Sequence, residues 1–469
     1  MIVTIGRFNC FTSTRLKRRR LLFCPIVKRF AFCYNIQCGG HPPGLFFQTG
    51  GTAMHRKFSE KTLYIFEATL EYFISILVAG SFLATLTQEL GFSDSLTGIL
   101  SSVISLGCLF QLISIFILKQ RVKGFVITLS IINQLLFTFL YVIPLFELSR
   151  SVKTVIFIIS IFTAYLLYNI AHPKKINFLM SLVEDDQRGR FTANKEIFSL
   201  ATGIVFSYGM GWVIDYFKDR GDIRLSFIIS AAAIFLLMLL HTLTLLPIRE
   251  REIAAARSYN LGETIKKILK NKTVFKITLV FILYYIANYA SVPFYGVYCI
   301  NELGFSLKTV SLITIFGSIS RIAVSKYWGK YADKNSFAKM IERCFVFLGG
   351  SFLVMVFAVP ANGLIMYTLY TVLHAIALGG VNSALINLIY DYVDVADRAN
   401  SLATTQAFAG LTGFLTTLAV SPLVALIQKS NTVFGITVYA QQAVSLFSLI
   451  ISAVLIFYIR KVVLKIRKS

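Results

Sequence analysis

The sequence predicts an all-α membrane protein of twelve transmembrane helices arranged as two pseudo-symmetric six-helix bundles. Three observations carry that expectation. With 56% hydrophobic and 14% charged residues and a mean hydropathy of +0.72, the chain has more apolar surface than it can bury against itself, so lipid must cover the rest. Its apolar segments run to roughly 20 to 25 residues, the length that carries a helix across ~30 Å of hydrocarbon, where every backbone polar group must be satisfied within the segment. The chain also repeats itself. Ile176, Asn177, Arg188, Ala193, Thr202 and Gly203 are matched 210 residues later by Ile386, Asn387, Arg398, Ala403, Thr412 and Gly413. Glu89-Leu90-Gly91-Phe92-Ser93 returns 213 residues later as Glu302-Leu303-Gly304-Phe305-Ser306. Two echoes in one order at nearly one displacement indicate a duplicated half of about 200 residues.

Residues 1–53 stand apart, with Arg7, Arg15, Lys17, Arg18, Arg19, Arg20, Lys28 and Arg29, no acid and no spanning segment. Such an arm can be a mitochondrial presequence. The simpler expectation is upstream sequence: Gly50-Gly51 can be encoded by a bacterial ribosome-binding site placed for a start at Met54. From there the first bundle occupies 54–248, with spans at 63–86, 96–118, 125–145, 154–180, 191–217 and 225–247. The second occupies 274–469, with spans at 274–300, 309–328, 337–359, 364–390, 401–426 and 434–459. The linker, 249–273, carries Leu261, Ile265, Ile268 and Leu269 at helical spacing beside Lys266, Lys267 and Lys270. It reads as an interfacial helix on the inner leaflet, with a solvated basic linker as the alternative.

Loop charge sets the orientation. Lys119, Arg121 and Lys123 follow span 2, Arg188 and Arg190 span 4, Arg249 and Arg251 span 6, Lys330 and Lys334 span 8, and Arg398 span 10. The intervening loops are poorer in base, apart from Lys218, Arg220 and Arg224 after span 5, so both termini are expected in the cytoplasm of a plasma-membrane protein. A net charge of +24 distributed in this way points to an anionic inner leaflet rather than to nucleic acid. The seven cysteines lack zinc-type spacing, and neither a phosphate loop nor a nucleophile with a matched base is present. No metal, cofactor or enzymatic activity is expected, and the chain is read as a monomer.

At Gly329-Lys330-Tyr331-Ala332-Asp333-Lys334, after span 8, the chain resembles the loop signature of the major facilitator superfamily. Twelve spans, the six-plus-six repeat, the basic central loop and Arg188-Gly189-Arg190 before span 5 resemble that family too, over residues 54–469. The first-half counterpart of the signature has decayed, Phe116 and Gln120 standing where glycine and aspartate belong. The resemblance implies a gate in which Asp333 meets the amino-terminus of span 5, with Arg188, Arg190, Gly329, Lys334 and Arg398 around it; an ordinary loop carboxylate is the alternative.

The resemblance also implies that spans 1, 4, 7 and 10 line a central cavity, and each carries a polar stripe. Ionisable groups at membrane depth are functional candidates by default. Span 1 offers Glu67, Glu71 and Ser75 on one helical face, and span 4 offers Tyr165, Tyr168, His172 and Lys175, with Asn169 and Lys174 beside them. Span 7 carries Tyr284, Asn288, Ser291 and Tyr295, and span 10 carries Tyr370, His374 and Asn382. The depths of spans 1 and 4 predict an ion pair between Glu67 or Glu71 and Lys174 or Lys175, with snorkelling of the lysines to headgroups as the alternative. Arg321 in span 8 either receives an anionic substrate group or ties span 8 to a neighbour. Glu196 and Gln406, equivalent in the repeat, are expected to share a structural role, His374 to carry a proton or to sit neutral, and His241 to be interfacial. Gly203, Gly209, Gly211, Gly379 and Gly380 permit close helix approach, and Pro293 and Pro422 interrupt spans 7 and 11.

The function these features predict is secondary transport of a small organic solute by alternating access, with protons as a further partner through Glu67 or Glu71. Facilitated diffusion, a transporter-like ligand sensor without net transport, and a channel remain as alternatives.

Overall fold

Polar side chains cap several of the apolar helices, Ser59, Asp222, Asn271, Ser306 and Ser336 each accepting a backbone N–H of the first turn, and so mark where those helices begin. A computed structural model describes residues 59–115, 121–184, 187–250, 261–393, 398–429, 431–433 and 436–466; the amino-terminal arm lies outside them. Span 1 is α1 (Glu60–Leu77) followed by α2 (Gly80–Glu89). Spans 2 to 6 are α3 (Asp94–Ile115), α4 (Lys123–Val142), α5 (Arg150–Met180), α6 (Arg188–Asp219) and α7 (Ile223–Leu245). The linker contains α8 (Leu261–Lys270). Span 7 comprises α9 (Lys272–Tyr289), α10 (Val292–Val297) and a π turn, Tyr298–Glu302. Spans 8 to 12 are α11 (Leu307–Lys334), α12 (Phe337–Val356), α13 (Gly363–Tyr392), α14 (Arg398–Gln428) and α15 (Ala440–Lys461).

Among the described residues, 10 helical segments are long and apolar enough to cross a membrane, and the pair α1 and α2, bent by 41°, makes an eleventh. The twelfth is α12, whose first two turns carry Lys339, Glu342 and Arg343 and so lower its apolar content. Large apolar side chains such as Val205, Ile365 and Phe457, 73%, 69% and 63% exposed, cover the outside as a lipid-facing surface requires. Span 12 starts later than its hydropathy predicts. The β-branched run before it forms a two-residue antiparallel ladder, Thr432 opposite Thr437 and Val433 opposite Ile436, and α15 begins only at Ala440.

The duplication is visible in the backbone. Gly91 and Gly304 both take positive φ, +69° and +63°, at the same turn of the two halves. Ser93 then accepts the Leu96 N–H at 3.2 Å, and Ser306 accepts the Thr309 N–H at 3.1 Å, each capping the next helix. Spans 1 and 7 break at equivalent places, span 1 at Gly80 (φ +53°) and span 7 at Pro293, which has no N–H to continue the ladder.

Each half has its own apolar core, Ile74, Phe157 and Ile234 among the first and Phe281, Phe345 and Leu388 among the second. The halves meet where α3 runs along α14 and α6 along α11. Small residues allow the approach: the Ser105 hydroxyl donates to the Gly410 carbonyl at 2.8 Å, and a Cβ on Gly410 would stand 2.4 Å from the Ser105 carbonyl oxygen. Odd-numbered spans run from the end carrying Glu60 and Lys461 to a far end. Hydrogen bonds between the halves gather at that far end. Asp215 of α6 accepts the Leu307 and Lys308 N–H groups at 3.0 and 2.7 Å, satisfying the open amino-terminus of α11. Asn301 and Gln428 both donate to Asp94, at 2.6 and 2.7 Å, and Ser95 bonds Ser421. At the break points a Cβ on Gly296 would lie 2.6 Å from the Gly80 carbonyl carbon, so spans 1 and 7 touch backbone to backbone.

Candidate functional site

Below that closure lies a cavity of about 530 Å³, walled by spans 1, 3, 4 and 5, by Ile104 of span 2 and by Arg321 of span 8. A volume of that size suits a small organic molecule. The i, i+4 spacing of Glu67 and Glu71 on α1 aims both carboxylates at α5, where Lys175 sits two residues past Pro173. The Lys175 ammonium lies 2.9 Å from Glu67 Oε1 and also pairs with Glu71 Oε2. The Lys175 and Glu67 side chains are 3% and 1% exposed, and that of Glu71 is 21% exposed toward the cavity. One ammonium therefore serves two carboxylates in a nearly dry place, where each group would be costly alone.

His241 of α7 completes the cluster. Its Nε2 is 3.0 Å from Glu67 Oε1, and Gln134 Nε2 of α4 is 3.3 Å from its Nδ1. With the amide nitrogen turned to Nδ1 as its donor, the hydrogen on Nε2 is the one donated to Glu67. Gln134 Oε1 is buried with no hydrogen-bond partner. Turning the amide over would present that oxygen to an Nδ1–H and so accommodate a doubly protonated ring. Donor atoms of Glu67, Glu71 and His241 lie within 4.8 Å of one another, the spacing of a cation site, and the Lys175 ammonium fills that role.

Two further cations face the cavity. Lys195 of α6 stands 4.8 Å from the centre of the Tyr64 ring and forms no ion pair among the described residues. Arg321 Nη2 is 2.5 Å from Glu196 Oε1, an ion pair that joins the two halves, while Arg321 Nε has no partner. Tyr72 divides this cavity from a second one of about 280 Å³ nearer the far end, lined by Ser207, Ser311, Thr314, Tyr295 and Tyr370. The Tyr72 ring rests on Gly203, where a Cβ would stand 2.4 Å from its Cε1.

Of the residues expected from sequence, Glu67, Glu71, Ser75, Tyr165, Tyr168, His172, Lys175 and Arg321 line the first cavity. The ion pair between spans 1 and 4 selects Lys175; Lys174, about 100° further round the helix, does not line it. Tyr284, Asn288, His374 and Asn382 line neither cavity. Tyr284 stacks on Phe345 in the second-half core, Asn288 Oδ1 lies 3.2 Å from His374 Nε2, and Asn382 is exposed. Glu196 proves to be the partner of Arg321, so its role differs from a shared one with Gln406. His241 is not interfacial: it is fully buried against Glu67. Sequence reasoning also passed over Gln134, Lys195 and Tyr72. The adjacent Lys195 and Glu196 early in an apolar span were a legible signal, whereas His241 and Gln134 acquire meaning only by meeting each other. Asp333 and Arg190 are exposed, and Asp333 forms no ion pair with a described residue; the side chains of Arg188 and Arg398 lie outside the described residues.

Comparison with known proteins agrees with this architecture. A family profile described as Major Facilitator Superfamily matches residues 66–417. No curated protein matches the sequence. Among solved structures, the nucleoside transporter NupG superposes with a TM-score of 0.65 at 15% identity, covering 87% of this chain and 100% of its own. A mutant form of NupG gives 0.66 at 15% identity, covering 86% and 99%. An auto-inhibited POT family peptide transporter gives 0.64 at 10% identity, covering 87% and 98%. At these identities the likeness concerns the fold alone. With a family match over well over half its length, a repeat that reaches into the turns and ten or eleven apolar spans among the described residues, the chain is a multi-pass membrane protein of the Major Facilitator Superfamily.

Proposed function

We propose that the protein is a secondary transporter, not an enzyme, that moves a small organic solute by alternating access and is driven by protons. One observation carries this reading: the buried Lys175 ammonium held by Glu67 and Glu71 at the cavity wall, with His241 bonded to Glu67. Two carboxylates around one ammonium leave an excess negative charge that a single proton neutralises. Neutralisation weakens the hold on Lys175 and frees the ammonium for a substrate group, so that proton and solute binding bias one equilibrium. Gln134, with its unpartnered oxygen, offers the route by which His241 shares that proton.

Loop charge supports an orientation with the termini in the cytoplasm. The far end is then the outer face and the cavity is open inward. The bundles 54–248 and 274–469 rock about the midplane, and the basic linker rests on the anionic inner leaflet. Arg321, which pairs with Glu196 across the cavity and keeps Nε unpartnered, is the group an anionic part of the solute would engage. Asp333, exposed at the end of span 8, is the carboxylate that would meet the start of span 5 when the inner side closes.

The test uses purified protein in liposomes. A solute found by its thermal stabilisation of the protein should accumulate inside under an inward proton gradient. A stabilising solute that binds yet never accumulates, with or without the gradient, would sink the transport reading in favour of a ligand sensor.

A further inference from the structure

At the outer ends of spans 2, 7, 11 and 12, two carboxylates from opposite halves share one amide. Gln428 Nε2 donates to Asp94 Oδ2 at 2.7 Å and to Glu302 Oε1 at 3.0 Å, and Asn301 Nδ2 donates to Asp94 Oδ1 at 2.6 Å. Among the described residues no lysine, arginine or histidine pairs with either acid. The other half of the repeat shows what is missing. Glu89, the counterpart of Glu302, has Lys218 at 3.6 Å, and Gln428 stands 210 residues after Lys218, where the repeat would place that lysine. The second copy has exchanged an ammonium for a neutral amide.

The environment points to what takes its place. Glu302 Oε2, Tyr298 Oη and both polar atoms of Gln441 are buried with no hydrogen-bond partner. Tyr298 and Gln441 are 0% and 1% exposed, and both lie beside Glu302. The Gln441 amide lies beside the Glu302 carboxylate and can turn either its N–H groups or its oxygen toward it: an ionised Glu302 would take the N–H groups, a protonated one the oxygen. A carboxylic acid O–H on Glu302 would donate to Gln441 Oε1 and satisfy both. A metal ion fits less well, because the Gln428 N–H groups already fill the space between the two carboxylates.

We propose that the Asp94–Glu302 pair binds one proton from the outer side, and that this proton latches the outer ends of the two halves together. With both acids ionised, like charges face each other across the seam between bundles, held only by neutral amides. With one proton bound, the repulsion is gone and the seam gains a hydrogen bond. Asp94, Glu302, Tyr298, Asn301, Gln428 and Gln441 are the polar groups that meet there, from α3, the π turn, α14 and α15. The seam is shut from the cavity, so the proton arrives from and returns to the outside. It is thus separate from any proton carried past Lys175, and external acidity favours the outward-closed state. This assignment of sides rests on the orientation given under Proposed function.

The experiment reads conformation rather than flux. Full-length protein in nanodiscs, its native thiols replaced, carries nitroxides on Leu148→Cys and Leu364→Cys, exposed positions at the outer ends of the two halves. Electron–electron distances are compared at pH 5.5 and pH 8.5 in sodium-free buffer. The ratio of outward-closed to outward-open protein should rise about threefold or more at the lower pH. In a Glu67→Gln background, which removes the proton site at the cavity wall, the pH response should persist at about threefold, and adding Glu302→Gln, or separately Asp94→Asn, should hold the closed population at both pH values. Distances that ignore pH, a response that survives both outer variants, or one that vanishes with Glu67→Gln would overturn the latch. Sodium reproducing the acid state at pH 8.5 would replace the proton by a metal cation and overturn it as well. Absence of solute flux with the pH response intact would count against the transport reading alone.

Discussion

The two halves share a frame and differ in what they place on it. In the first, Tyr72 of span 1 rests on Gly203 of span 5; in the second, Tyr285 of span 7, its counterpart 213 residues on, packs against Gly413 of span 11, the counterpart of Gly203. Beside these matched seats the chemistry parts. Glu67, Glu71 and Lys175 correspond to Val280, Tyr284 and Leu385, all three buried in the second-half core, and Lys195 corresponds to Thr405, bonded to Thr278 at 2.9 Å. Charge is concentrated in one bundle and close packing in the other. The duplicated architecture therefore holds its buried ion cluster in one bundle and fills the equivalent positions of the other with uncharged side chains.

Breaking the charged side of this contrast should have the largest effect. Lys175→Met leaves two carboxylates facing each other in a dry wall, at a cost of about 3–5 kcal/mol, which thermal unfolding in detergent would register together with loss of uptake. Combining it with Glu67→Gln and Glu71→Gln, which brings the first half nearer the uncharged second, should restore most of the thermal stability and none of the uphill uptake. Wild-type stability for Lys175→Met alone would erase the contrast. Glu67→Gln comes next: the accumulation ratio under a proton gradient should fall by about 5- to 150-fold, the range of a typical coupling free energy, while solute exchange without a gradient persists.

The shared frame predicts matched effects. Gly203→Ala and Gly413→Ala should each destabilise by about 1–3 kcal/mol through overpacking on a tyrosine ring, and only Gly203→Ala, through Tyr72, should also raise the KM for solute. The smallest effect belongs to the neutral pair of the second half. His374→Gln should cost about 0.5–1.5 kcal/mol and leave the pH profile of uptake unchanged, whereas His241→Gln should alter that profile. A pH profile that moves with His374 would place proton chemistry in both halves.

The span count, the repeat and the face bearing Glu67 and Glu71 were legible because each follows from spacing along one helix. So was a cationic partner on span 4, since depth along two antiparallel helices can be counted. The choice of Lys175 over Lys174 was not, because it depends on the rotation of span 4 about its axis. The stripes of spans 7 and 10 looked like those of spans 1 and 4, yet Tyr284 packs in the core and Asn288 meets His374. A polar residue at helical spacing can be satisfied by a neighbouring helix as readily as by a cavity. Gln134 escaped notice and His241 was expected at the interface for the complementary reason: only tertiary packing brings His241 to Glu67 and Gln134 to His241.

The backbone contact between Gly80 and Gly296 has a practical side. Where two main chains meet with nothing between them, a single added methyl group acts as a wedge. Gly296→Ala would prop the mouth at that end ajar without touching a solute-binding side chain, giving a form in which the opposite state could be captured by a conformation-selective binder. Reagents too large to cross the lipid should label Tyr72→Cys from the side of that mouth in that form and fail to do so in its absence.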